Sequence, residues 1–146
     1  GRIIWDHDGI YYYTIGQRRG PRYGFELDRG DKNKPSKWYV AQKDVKKNII
    51  VAAPENHPLN FRREVIANEI HFIDNSILNK IKRGDKLKVF SRIRHVGELL
   101  PSTLLYNRRS KQFKVTLNKP ITGISEGQAI VFYIGEKVLG GGEIRF

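Results

Sequence analysis

Apolar and polar residues alternate most cleanly over residues 86–94. Leu87, Val89 and Ile93 fall on one side of an extended chain, interrupted by Ser91. Lys86, Lys88, Phe90, Arg92 and Arg94 fall on the other. This predicts a strand with one buried face and one face carrying four cations and an aromatic ring, a combination suited to phosphate contact and base stacking. Other strand signals surround it. Residues 10–15 are rich in Tyr, Ile and Thr and end at Gly16, which predicts a strand entering a turn. Residues 38–41 and 49–53 predict a hairpin turning over 44–48.

Gly20-Pro21 and residues 28–37 predict loop. Pro54 and Pro58 disfavour regular structure and mark a boundary. Beyond it, residues 65–73 predict a strand and 76–82 a short helical turn, capped by Asp74 or Asn75 and ended by Gly84. Residues 99–106 and 112–117 predict a second hairpin with Asn107-Arg108-Arg109-Ser110 at its tip. Residues 128–134 are apolar and β-branched enough for a buried strand. Gly135-Glu136 then turns the chain, and Gly140-Gly141-Gly142 bends or bulges the last strand. At least five short strands after residue 65, each bounded by turn residues, predict a small closed barrel. The expected fold is all-β, with a small central β domain over 1–58 and a barrel over 59–146.

Composition narrows the function. Among 146 residues, 27 are Lys or Arg and 15 are Asp or Glu, a formal net charge of +12. The surplus is concentrated: residues 80–119 hold 12 basic residues against Asp85 and Glu98. Such a field attracts polyanions, and nucleic acid is the foremost intracellular one. No cysteine is present, which removes disulfides, thiolate metal sites and thiol chemistry from this stretch. His7, His57, His71 and His95 lack metal-ligand spacing, so no metal site is expected. No phosphate-binding P-loop, dinucleotide fingerprint or nucleophile elbow occurs. No apolar run is long enough to span a bilayer. The abrupt start, without Met, suggests a piece of a longer chain, and a cytoplasmic setting is expected.

One block joins three tyrosines to three glycines and a Gln-Arg-Arg run. It reads His7-Asp8-Gly9-Ile10-Tyr11-Tyr12-Tyr13-Thr14-Ile15-Gly16-Gln17-Arg18-Arg19-Gly20. It is followed in order by Trp38-Tyr39-Val40, His57-Pro58-Leu59, Arg92-Ile93-Arg94, Pro101-Ser102-Thr103, Gly127-Gln128-Ala129 and Leu139-Gly140-Gly141-Gly142. Taken together, these motifs resemble the C-terminal half of the bacterial tRNA-specific 2-thiouridylases. The resemblance implies a parent enzyme that activates the wobble uridine of tRNA with ATP and delivers sulfur from a cysteine persulfide. The ATP-binding domain and its catalytic cysteines are not in this chain, so the chain alone is expected to be inactive and to hold no cofactor. The barrel is expected to be similar to domain II of elongation factor Tu.

The resemblance also implies partners: tRNAs accepting Lys, Glu and Gln, and a sulfur-donor protein, with no membrane. It places tRNA contacts on Arg92, Ile93 and Gln128. Arg94 joins them from the alternation, and Lys86, Lys88, Arg108 and Arg109 add phosphate attraction. Ile93 stands where the family carries Tyr, which removes any stacking or hydroxyl contact there. His7, Gly9, Thr14, Gly16, Gln17, Arg18 and Gly20 are expected to shape the central domain or its junction with the catalytic domain. Two other functions fit the same charge and fold: a free-standing RNA-binding barrel, and a docking module for a sulfur-carrier protein.

Overall fold

The computed structural model describes residues 1–19, 37–93 and 97–146. It divides into two units, Gly1–Phe61 and Arg62–Phe146. Residues 28–36 of the loop expected over 28–37, and the positions Gly20, Pro21, Arg94 and His95, lie outside the described residues.

In the first unit, β1 (Arg18–Arg19), β2 (Trp38–Asp44) and β3 (Ile49–Pro54) form a three-stranded antiparallel sheet in the order β1-β2-β3. The hairpin expected from the two apolar runs is present. Asn48 closes its turn in the left-handed region at φ 54°, a conformation that asparagine tolerates better than most residues. The strand expected over 10–15 is not present. Ile10–Tyr12 instead forms a 3-10 helix. The Tyr12 and Tyr13 amides donate back to the Gly9 and Ile10 carbonyls. Gly9 enters this turn at φ 153°, and Gly16, at φ 87°, sits in the following turn that the Gln17 amide closes on the Thr14 carbonyl. A segment bracketed by two such glycines curls before it can extend, whatever the β propensity of its tyrosines.

The second unit is a closed barrel in the order β4-β7-β6-β5-β8-β9. Its strands are β4 (Phe61–Phe72), β5 (Leu87–Arg92), β6 (Leu100–Asn107), β7 (Gln112–Thr122), β8 (Ala129–Ile134) and β9 (Lys137–Arg145). Alternate residues point inward, so Leu104, Leu117, Ile130, Phe132 and Ile144 are fully buried together. Each such side chain contributes roughly 1.5–3 kcal/mol of burial. Residues 128–134 differ from the expected buried strand: Ile130 and Phe132 face the core, while Val131 and Tyr133 are half-buried on the outside. The apolar outer residues disguise an ordinary two-faced strand.

Helix α1 (Asn75–Lys82) links β4 to β5. Its cap is Asp74, whose carboxylate accepts the Ser76 amide at 2.8 Å. That hydrogen bond holds the Asp74 carboxyl below its ordinary pKa. The three glycines of β9 lie against neighbouring backbone. A Cβ at Gly140 would overlap the His71 carbonyl, and one at Gly142 would stand 2.5 Å from the Asn68 carbonyl. The pairing registers of β4 and β8 with β9 shift beside this segment, at Asn68/His71 and Phe132/Tyr133. Among the described residues no helix is long and apolar enough to cross a membrane.

Candidate nucleic-acid interface

The alternation over residues 86–94 is realised in β5, which lies between β6 and β8. Val89 and Ser91 point into the core, and Ile93 follows them there at 8% exposure. Ile93 is therefore a packing residue. The contact assigned to it by resemblance does not fit its position, because its side chain faces the barrel interior. Lys88 and Phe90 are exposed on the outer face, and Arg92 is half-buried beside them. Lys86 is exposed just before the strand begins.

Phe90 is cross-strand partner to Pro101 of β6 and Tyr133 of β8. Those three residues make an apolar row across the outer wall. Arg92 sits diagonally from Tyr133, its guanidinium carbon 5.5 Å from the ring centroid. This is within cation–π range. The Arg92 Nε is buried with no hydrogen-bond partner among the described residues. The next row along the wall is polar, pairing Lys88 with Thr103 and Thr103 with Thr116. Tyr133 is not singled out by sequence reasoning. The usable signal is its alternation with the inward-facing Phe132, hidden by the uniformly apolar run around it.

The remaining expected residues lie elsewhere on the second unit. Gln128 closes a turn: its Oε1 accepts the Ser125 amide at 2.9 Å and its backbone carbonyl accepts the Ile144 amide at 2.8 Å. Its side-chain amide nitrogen is not used in that turn. Arg108, at the β6–β7 tip, donates through Nε to the Lys82 carbonyl at 3.1 Å and through Nη2 to the Arg83 carbonyl. It thereby satisfies carbonyls at the C-terminal end of α1. Arg109 is exposed at the same tip, where the Asn107 side chain accepts the Arg109 and Ser110 amides at 3.0 and 3.2 Å. Some cations are neutralised locally: Lys114 pairs with Glu64 at 2.7 Å and Lys119 with Glu98 at 2.8 Å. Near the chain end the Arg62 guanidinium lies 3.7 Å from the Phe146 ring centroid. Burial lowers its pKa, opposed by the charge of Glu126.

In the first unit, the glycine- and tyrosine-rich block builds a turn. The His7 ring bonds the Asn48 carbonyl through Nε2 at 3.0 Å. It also packs against Trp5 and Tyr13, which meet each other edge-on at 5.2 Å. The Thr14 amide donates to Gln17 Oε1, the Gly16 amide to the Val40 carbonyl, and the Val40 amide to the Gln17 carbonyl. Arg18 then pairs with Tyr39 to open the sheet. The described part of the block thus turns the chain toward β2.

These features define an all-β protein of two units, the larger a closed six-stranded barrel with cations and an aromatic row on one outer wall. Residues 62–144 match the family described as an aminomethyltransferase beta-barrel domain, and residues 1–54 one described as a tRNA methyl transferase PRC-barrel domain. Proteins named tRNA-specific 2-thiouridylase MnmA align along almost the whole chain. The one from Lactiplantibacillus plantarum is 35% identical over 145 residues, covering 99% of this chain and 36% of the relative. That from Coxiella burnetii is 36% identical over 146 residues, covering 99% and 38%. That from Vibrio vulnificus is 30% identical over 146 residues, covering 99% and 37%. The chain belongs to the tRNA-specific 2-thiouridylase family, and it spans little more than a third of the length of these relatives.

Proposed function

We propose that this chain is the tRNA-holding portion of a tRNA-uridine 2-sulfurtransferase that thiolates the wobble uridine in an ATP-dependent reaction. The observation that carries this reading is the outer wall of the barrel. Lys88, Phe90 and Arg92 emerge on one face of β5, in a chain of this family with a net charge of +12. Strand geometry spaces Lys88 and Arg92 by about 13 Å along β5, a separation that reaches across several phosphates of one RNA strand. Lys86, Arg109 and the side-chain amide of Gln128 add further donors, and Arg94 extends the same alternation. Arg108 contributes its field from the tip.

ATP and the persulfide cysteine belong, in this reading, to the part of the protein outside this chain, since the chain has no cysteine. The substrates are tRNAs accepting Lys, Glu and Gln, sulfur comes from a donor protein, and the setting is cytoplasmic. The test uses the full-length protein. Electrophoretic shift should show tighter binding of those three tRNAs than of a control tRNA. Incubation with ATP and a sulfur donor should yield tRNA retarded in an organomercury gel. Equal binding of all tRNAs, with no retarded product, rejects the reading.

A further inference from the structure

We infer that the outer wall of the barrel holds one unpaired nucleotide of the bound RNA, its base stacked on Phe90. This rests on the tRNA reading and adds to it a defined pocket. A cleft of about 510 Å³ opens over β5, β6, β7 and β8, bordered by Arg63 of β4, within the usual size range of a small-ligand site. Its floor is the cross-strand row of Phe90, Pro101 and Tyr133, and its polar side is the row of Lys88, Thr103 and Thr116. Phe90 is 40% exposed in the middle of a strand whose other outward residues are cations. An aromatic face left open at that place has no packing role in the core.

The lining fits a nucleotide better than an apolar peptide. Lys88 and Arg63 both line the cleft, and among the described residues no carboxylate does. Arg63 is steadied by its Nε bond to the Leu117 carbonyl at 3.1 Å. Arg92, held over Tyr133, adds a cation on the opposite flank of the floor. An aromatic floor between cations is the arrangement that takes a flat base with its phosphates. The Thr103 and Thr116 hydroxyls can each donate and accept, and so can meet a base edge or a 2′-hydroxyl. A base inside a duplex has both faces covered by its stacked neighbours, so the pocket selects one that is unpaired and splayed out of the stack.

The experiment uses full-length wild-type protein with Phe90→Ala and Phe90→Trp variants. The probes are a fluorescein-labelled single-stranded heptanucleotide RNA and a blunt RNA duplex. Phe90→Ala should weaken binding of the single strand about tenfold or more while moving duplex binding less than twofold. Phe90→Trp should restore affinity, and an unlabelled single strand should quench the indole emission that this variant adds to that of wild type. A loss under twofold for Phe90→Ala, an equal loss on the duplex, or added indole emission that the single strand leaves unquenched overturns the pocket. Thermal melts of all three proteins, together with the binding-competent Phe90→Trp variant, separate these outcomes from misfolding. Intact tRNA preference without any Phe90 effect removes the pocket alone. A clear Phe90 effect without tRNA preference removes the tRNA reading alone.

Discussion

The Arg92 guanidinium lies over the ring of Tyr133, 5.5 Å from its centroid, on the outer wall of the barrel. The tyrosine ring gives the half-buried side chain a further contact, so the charge is held where β5 and β8 meet. Replacing Arg92 with Ala should weaken tRNA binding by about 1–2 kcal/mol, measured by filter binding. Tyr133→Leu, which keeps an apolar side chain and removes the π face, should lose a smaller part of it. Unchanged affinity in Arg92→Ala would remove this residue from the interface.

Gly140 and Gly142 are set by contact with backbone carbonyls of β4. Gly140→Ala and Gly142→Ala should each destabilise the barrel by about 2–4 kcal/mol, since backbone rather than a flexible side chain must give way. Chemical denaturation reads this as a lowered midpoint. A midpoint equal to that of wild type would show that β9 can move away from β4.

Ser91 is fully buried, and its hydroxyl has no hydrogen-bond partner among the described residues. Ser91→Ala removes a desolvated polar group at little cost in volume, and should raise stability by about 1 kcal/mol. A destabilised variant would mean that the hydroxyl is satisfied in solution.

Asp74 caps α1 as a carboxylate, and its pKa is lowered by the Ser76 hydrogen bonds. A depressed folded-state pKa gives stability that is present above the unfolded value of about 3.9 and is lost as pH falls through the folded value. Asp74→Ala should therefore melt below wild type at neutral pH, and the two curves should converge in strong acid. Parallel curves down to about pH 2 would separate the cap from its charge.

Much of this fold is legible from local pattern. The β2–β3 hairpin and the Gly135-Glu136 turn follow from apolar runs with turn residues between them, and α1 from its acidic cap. Ile93 is instructive because two lines of reasoning conflict on it. Its alternation with Leu87 and Val89 points into the core, whereas motif resemblance points to RNA, and the inward face is what the structure contains. Over the tyrosine block, strand propensity misleads because the bracketing glycines outweigh it. Tyr133 is hidden because an apolar residue facing outward looks the same in sequence as one facing inward. The bonds from Arg108 to Lys82 and Arg83 join residues about 25 positions apart. No local pattern encodes such a pairing.

That Arg108 arrangement bears on how binding responds to ionic strength. Arg108 has its Nε and one Nη2 donor on carbonyls at the end of α1, which ties its guanidinium there rather than to a phosphate, and the ion-paired Lys114 and Lys119 must first part from their carboxylates. The slope of log affinity against log salt counts only groups that newly meet phosphate. Residues 80–119 hold 12 basic residues, yet the measured slope should fall well short of that number. Arg108→Ala should leave the slope almost unaltered while loosening the helix end. The strip that looks most saturated with charge in the sequence should thus behave, thermodynamically, as a sparser polycation.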